Sequence, residues 1–418
     1  MRTLWLTLAD PDPPTNGQFL YSYGLIHSLA GGGARLDVVG LARGARRQTH
    51  GLPDGQCIRW WLAPDESIHD WRQHLAFQAA ISRRSTTPLL KLVLRARLRR
   101  RELWDAIVID SICAGWAIGM ILDMLPKSVR PAIIHIAHNH ETSVAMTLAR
   151  AETHPLKRAV RWADACKTAL LERRLVRQAV LVTSNTPEDA EKFRRQFPDK
   201  AIQHVPPGYD GPIVAPREIT AETPRRAVII GTFDWAPKRR SLESFLAVAA
   251  PKFAELGIGL LVVGAAQQDY LRGMRSAFPA VEFTGPVPEV TPYMKDARIA
   301  LVPDQLGGFK LKSLDYIFSR LPIMGIDGSV PGVPLKPGES ILFYPDHGFL
   351  ADGVCQAIDD LDRLNRLQTR AYEACKDQFS WSIIGQALLG AINGVCARES
   401  ARPFSRRAAL AGDSSVPG

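Results

Sequence analysis

The sequence predicts an α/β chain of two Rossmann-like, doubly wound domains, on three observations. Apolar runs of strand length alternate with helix-length segments along nearly the whole chain, the pattern of parallel sheets covered by helices. The alternation breaks at a Pro- and Gly-rich stretch, residues 205–217, which reads as a hinge, and then starts again. In each half the first strand runs into a loop with a glycine ahead of a helix, which is how a doubly wound sheet begins. The expected domains are residues 1–210 and 211–380, followed by a helix at 381–396 and a mobile tail at 397–418.

Composition fits two buried cores. A chain of 418 residues with 46% hydrophobic and 22% charged residues is ordinary globular protein, neither disordered nor fibrous. Its six cysteines, Cys57, Cys113, Cys166, Cys355, Cys375 and Cys396, lack the close pairs of a zinc or redox motif and are expected as free thiols in a reducing compartment. With no apolar run of spanning length and no signal-like start, a cytoplasmic location is expected.

The net charge of +10 invites a nucleic-acid partner, but no zinc-finger, RNA-recognition or basic-zipper pattern accompanies it, so nucleic acid is not expected. The densest basic stretch, from Arg83 to Arg101, sets Arg95, Arg97, Arg99, Arg100 and Arg101 among Leu89, Leu90, Leu92, Val93, Leu94 and Leu98. Two readings stay open for it: a helix lying on the anionic inner face of a membrane, or a solvated basic helix face.

In the first half, a strand at 4–8 enters a loop from Asp10 to Gly17 whose prolines forbid helix, and helix 19–30 and strand 35–41 follow. A strand at 104–110 and a helix at 111–125 come next. The strand at 132–137 ends in His138, Asn139, His140 and Glu141, where open parallel sheets place ligands. His138 is the candidate to hydrogen-bond ligand hydroxyls or move a proton, with Glu141 orienting it or accepting a proton. Two other readings compete: a metal site of His135, His138, His140 and Glu141, and a polar cap on the next helix. A basic helix at 153–177, a strand at 179–182 and a helix start at Pro187 complete this half.

The second half opens with strand 227–230 and a turn from Gly231 through Lys238 to Arg240, ahead of a helix at 241–250. Glycine and cations before a helix N-terminus suit a phosphate. Strands follow at 259–264, 281–286 and 299–303. After the last of these, Gly307 and Gly308 open an amphipathic helix on which Leu311, Leu314, Phe318 and Leu321 keep helical spacing. Lys310 and Lys312 add charge at its start, and Asp315 shares a face with Lys312. Together they have the makings of a nucleotide site, with lysine on a diphosphate and carboxylate on ribose hydroxyls. The alternative is a weak Lys312–Asp315 surface ion pair.

The segment at 307–322 resembles the donor-site segment of retaining GT-B glycosyltransferases of family 4. In these, two glutamates with seven residues between them flank a Gly-Phe-Gly turn. Asp315 takes the second glutamate's place and Gly307 the first, and Gly308, Lys310, Lys312 and Asp315 are closer to the family's Gly-x-Arg-x-Lys-x-x-Glu variant. The turn at 231–238 resembles the family's Gly-x-x-Asp-Trp-x-Pro-Asn, with Lys238 for asparagine. The segment at His138 resembles its His-Asn-x-Glu version, and Gly17 stands where the family's first loop approaches donor and acceptor. The resemblance implies GT-B architecture, two domains facing across a cleft with the closing helix crossing back onto the first. It also implies transfer of a sugar from a nucleoside diphosphate sugar to a glycan, lipid-linked or small-molecule acceptor, with retention, no metal and no further cofactor. Donor binding falls to Gly17, Gly231, Lys238, Gly307, Gly308, Lys310, Lys312 and Asp315, and catalysis to His138 and Glu141. An epimerase or hydrolase on the same fold remains open, as does a silent nucleotide-sugar-binding scaffold, which Gly307 in place of the first glutamate makes credible.

Overall fold

The computed structural model describes residues 1–43, 49–54, 57–65, 79–100, 103–304 and 307–400. The described residues form two compact units, one of residues up to 208 with the segment from 381 to 400 and one of residues 209–380.

The first unit runs β1 (Arg2–Ala9), α1 (Gly17–Gly31), β2 (Arg35–Leu41), β3 (Thr49–Asp54), β4 (Ile58–Ala63), α2 (Ala80–Arg83), α3 (Pro88–Arg99) and β5 (Ala106–Asp110). A 3-10 turn (Ile112–Trp116) leads into α4 (Ala117–Met124), β6 (Ala132–Ala137), α5 (Glu141–Arg150), α6 (Pro155–Gln178), β7 (Leu181–Ser184), α7 (Pro187–Gln196) and β8 (Ala201–His204). The second unit holds β9 (Arg226–Ile230), α8 (Ala236–Glu255), β10 (Gly259–Val263), α9 (Gln268–Ala277), β11 (Val281–Gly285), α10 (Thr291–Lys295) and β12 (Ile299–Val302). It continues with α11 (Leu311–Phe318), β13 (Ile323–Ile326), β14 (Leu342–Tyr344), α12 (His347–Ala357) and α13 (Leu361–Cys375), and α14 (Trp381–Ser400) returns to the first unit.

The first sheet has the order β3-β4-β2-β1-β5-β6-β7-β8, parallel except for the β3–β4 pair. The second has the order β11-β10-β9-β12-β13-β14 and is parallel throughout. Strands buried on both faces need continuous apolar runs, and β5, β6 and β12 are buried at every position. In the first unit Leu4, Leu6 and Ile109 face one apolar layer under α3, α4 and α6, while Trp5, Val108 and Ile134 face another under α1 and α14. Trp381 of α14 lies so close to Gly24 of α1 that a Cβ there would meet its ring at 2.1 Å.

Several boundaries differ from the sequence expectation. Helix α8 begins at Ala236 and runs through Pro251 to Glu255, because Leu242, Phe245, Leu246, Ala249 and Phe253 bury one continuous face. That burial outweighs a proline cost of about 3 kcal/mol. The expected helix at 111–125 starts as a 3-10 turn, with Ser111 at φ 68 and its hydroxyl capping the Cys113 amide. Helix α14 extends to Ser400, four residues beyond the expected end, and residues 401–418 lie outside the described ones.

Candidate functional site

Among its parallel strands each sheet reverses its chain order at one point, where loops leaving neighbouring strands diverge and open a crevice beyond the strands' carboxyl ends. In the second sheet that point lies between β9 and β12, and in the first between β1 and β5.

In the second unit, β12 ends at Val302 and the chain turns through Pro303 and Asp304. Lys312, in the first turn of α11, donates to Asp304 Oδ1 at 2.5 Å, and Lys310 Nζ stands 2.9 Å from Oδ2. From the β9 side, Lys238 of α8 lines the same small pocket with Gly231, Phe233, Asp304 and Lys312. Two lysines thus pair with one carboxylate that is 6% exposed, and a third lines the pocket beside it. Burial, then repulsion from Lys312, brings the Lys238 ammonium down to about 8, and burial lowers Lys310 as well. Burial alone would raise Asp304, but Lys312 and Lys310 together hold it below the usual carboxylate range. No side chain caps α8 or α11, so the positive ends of both dipoles meet here without a protein anion of their own.

The glycines make this approach possible. Gly307 sits at φ 104, and a Cβ there would lie 3.3 Å from Lys310 Nζ, so both backbone and space favour glycine. Gly308 follows in the same loop, and α11 begins at Leu311, later than expected, after Lys310 at φ −99 and ψ 93. Gly231 is in contact with the next turn: a Cβ on Gly264 would fall 1.8 Å from its carbonyl oxygen. Burial lifts the Asp315 carboxyl to about 6, a rise that the neighbouring Tyr209 hydroxyl, which donates to the Pro212 carbonyl, partly offsets. The Lys312–Asp315 surface pair left open above is not formed, because Lys312 turns to the more deeply buried Asp304.

In the first unit, Asp110 closes β5 with no exposed surface. It accepts from Trp5 Nε1 at 3.0 Å, from the Ser22 hydroxyl, and from His138 Nε2 at 2.6 Å. Burial pushes its carboxyl up, but the His138 charge and these hydrogen bonds outweigh burial and hold it low. Because Asp110 is held as a carboxylate, His138 Nε2 is the donor in this bond, and Nδ1 is the ring nitrogen that Asp110 leaves unengaged. Tyr21 packs edge-on against the His138 ring at 5.0 Å and donates to the Val205 carbonyl. The residue after Asp110, Ser111, has the strained positive φ already noted, and such backbone gathers at functional sites. Gly17 opens α1 beside this crevice, with Asn16 capping the helix through the Phe19 amide.

The other residues of the His138 segment go separate ways. His135 is buried on β6, bonded to the Ile109 carbonyl and pushed down to about 4 by burial. His140 caps α5 by accepting from the Ser143 amide, which is the capping alternative realised. Glu141 accepts from Asn139 Nδ2 at 2.9 Å, and burial raises its carboxyl. The four-residue metal set is therefore not assembled: among the described residues no group of three or more His, Cys, Asp or Glu is placed to hold a metal.

The basic stretch is only partly a surface. Leu90, Leu94 and Leu98 of α3 enter the core, and Arg97, 2% exposed, stacks on Trp61 at 3.9 Å and stands 3.8 Å from Asp37. Leu89, Leu92, Lys91, Arg95, Arg99 and Arg100 remain exposed, and Arg101 lies outside the described residues. No helix among the described residues is long and apolar enough to cross a membrane.

Sequence reasoning missed Asp110, Asp304 and Glu172. The first two carried a signal, an acid at the carboxyl end of a fully apolar strand. Glu172 carried none: it reaches from α6 to accept the Glu141 and Thr142 amides at the start of α5.

Residues 224–360 match the family model described as Glycosyl transferases group 1, and this segment contains Gly231, Lys238, Asp304, Gly307, Lys310, Lys312 and Asp315. No curated protein matches the chain. Sucrose-phosphate synthase from Thermosynechococcus elongatus is 16% identical, with TM-score 0.72 over 95% of this chain and 100% of that one. Anabaena HepE, solved with UDP and glucose, is 13% identical, with TM-score 0.61 over 94% of this chain and 99% of that one. At such identities the likeness is one of fold, the GT-B pairing of two Rossmann-like domains that the sequence predicted.

Proposed function

We propose that the chain is a glycosyltransferase that binds a nucleoside diphosphate sugar through its second unit and handles the acceptor through its first. The observation that carries this reading is the pairing of Lys310 and Lys312 with the single carboxylate of Asp304, with Lys238 lining the same pocket, at the sheet's order-reversal point and beside two helix N-termini. That surplus of positive charge suits a diphosphate, and it gains value as negative charge grows on the leaving group when the bond from the sugar's anomeric carbon breaks. Lysines can carry this charge in place of a divalent ion, which is the basis for proposing transfer without a metal.

Asp315, ionised above about pH 6, is assigned to the ribose hydroxyls. His138, its Nε2 tied to Asp110, is assigned to the reacting sugar, and Glu141 to the acceptor side. Retention follows from the family resemblance, with the leaving phosphate taking the acceptor's proton. A uridine donor is supported by HepE, which was solved with UDP and with UDP-glucose. The exposed part of α3 is assigned to an anionic membrane surface. Vesicles containing acidic lipid should bind the protein at low salt, and equal binding to neutral vesicles would reject that assignment.

A melting-temperature screen with UDP-, GDP- and ADP-sugars tests the main reading, because a ligand that binds only the folded state raises the transition by mass action. One nucleotide sugar should shift it, and turnover should need an acceptor. Rapid hydrolysis or epimerisation without acceptor, or no response to any of them, would reject transfer.

A further inference from the structure

The first sheet carries a second polar concentration at its opposite end. Arg2 opens β1, Arg35 opens β2 and Arg59 is the second residue of β4. The register sets Arg2 beside Arg35 and Asp37 beside Arg59, at the amino edge of parallel strands, whereas Asp110 and His138 stand at the carboxyl edge. At about 3.3 Å per residue, the length of β1 separates the two edges by roughly 25 Å. Alternation puts Arg2, Arg35, Asp37 and Arg59 on the same sheet face as Leu4, Val39 and Trp61, the face that α3 covers. A cavity of about 150 Å³ opens there, lined by Arg2, Arg35, Leu36, Asp37, Cys57 and Arg59.

The charges in this cavity do not balance. Asp37 is fully engaged, accepting from Arg2 at 3.1 Å, Trp61 Nε1 at 3.1 Å and Trp104 Nε1 at 3.1 Å, with Arg97 at 3.8 Å. Asp105 accepts the Arg2 amide at the rim. Among the described residues, Arg35 and Arg59 have no side-chain acid partner, so two of the guanidiniums that line the cavity stand without a carboxylate. Exposed arginines need no partner when each stands apart in water. Gathered around one concavity they repel each other, and an anion there relieves the repulsion.

We propose that this cavity is a second anion site, for a phosphate dianion carried on a small molecule or a lipid headgroup. The uncompensated charge fits a dianion, and the planar forks of Arg35 and Arg59 suit bidentate contact with phosphate oxygens. The volume suits a phosphate group; whole-ligand pockets run from about 300 Å³ upward. This site is independent of the transferase reading, because it uses neither crevice residues nor the second unit.

The test is calorimetric titration of inorganic phosphate at fixed ionic strength into wild type, Arg35→Ala/Arg59→Ala, Arg35→Lys/Arg59→Lys and Lys312→Ala. Both arginines are exposed, and melting curves check that each variant is folded. Affinity at this site should fall at least tenfold in the alanine pair, fall less in the lysine pair, and persist in Lys312→Ala. Unchanged binding in the alanine pair, or loss caused by Lys312→Ala alone, overturns the proposal. Flotation with phosphatidylcholine vesicles, with and without phosphatidic acid, separates the sources: arginine-dependent capture only with phosphatidic acid identifies a headgroup, and phosphate binding without such capture identifies a soluble phosphate ester.

Discussion

The crevice of the first sheet and that of the second stand at the same topological point, yet they treat charge in opposite ways. In the first, Asp110 is saturated from within the unit by Trp5, Ser22 and His138, so the site is neutralised and stiff before any ligand arrives. In the second, one carboxylate is shared by Lys310 and Lys312 while Lys238 stands beside them, leaving an excess of positive charge at two uncapped helix starts. The first arrangement fixes a tautomer and holds a ring in place. The second keeps a charge ready for a ligand to complete. The comparison breaks if the first crevice proves to hold the donor's diphosphate, or if the second proves indifferent to its own charges.

The largest effect is expected at His138. Removing a group that acts on the reacting sugar should cost about 10²- to 10⁴-fold in turnover while donor affinity barely changes. Kinetics and UDP calorimetry on His138→Ala check this, and loss of affinity with unchanged turnover would move the residue into the donor site.

Next comes Asp304→Ala, which strands two lysines in a buried setting. Taking away one partner of a buried ion pair costs about 3 to 5 kcal/mol, so the melting temperature should fall sharply. UDP should raise it by more than in wild type, because the diphosphate returns the missing charge. A variant that melts like wild type and responds to UDP no more strongly would show that the lysines never needed the carboxylate.

These two residues also show how far the sequence could be taken. His138 could be singled out because it follows an apolar strand directly, and Lys312 because glycines and a helix start suit an anion. Asp304 was not, since its partnership with Lys312 crosses a strand-to-helix loop and burial, not spacing, decides which acid the lysine chooses. His140 and Glu141 lie beside His138 in sequence, but the turn into α5 sends each in its own direction. The doubly wound class followed from the alternation of elements, but the strands β3, β4, β8, β13 and β14 were not read from it. The extension of α8 through Pro251 did not, because it depends on the summed burial of a face that spans the proline.

Lys312→Ala sharpens the second half of the comparison. A charge-assisted hydrogen bond is worth about 1.5 to 3 kcal/mol, so UDP affinity should fall roughly tenfold to a hundredfold, and turnover further. Lys310→Ala should be milder. Calorimetry on both folded variants decides, and a folded Lys312→Ala protein with wild-type affinity and turnover would make α11 a structural helix only.

The smallest effect expected is a pH dependence, and it tests whether the second crevice is poised for an anion. Lys238 is brought down to about 8, first by burial and then by Lys312. A diphosphate favours the ammonium, so the bound form should have the higher value, and between the two values binding must take up a proton. The Lys238 contribution to UDP affinity should therefore hold nearly level below pH 8 and weaken severalfold by about pH 9, by no more than tenfold per unit. Lys238→Arg keeps its charge across this range and should remove that part of the slope, while leaving any slope that comes from the nucleotide itself. Calorimetry at pH 8.5 in two buffers of different ionisation enthalpy reads the proton uptake directly. A wild-type profile that matches Lys238→Arg, with no uptake, would mean that Lys238 does not face the diphosphate, and the excess charge would then rest on Lys310 and Lys312 alone.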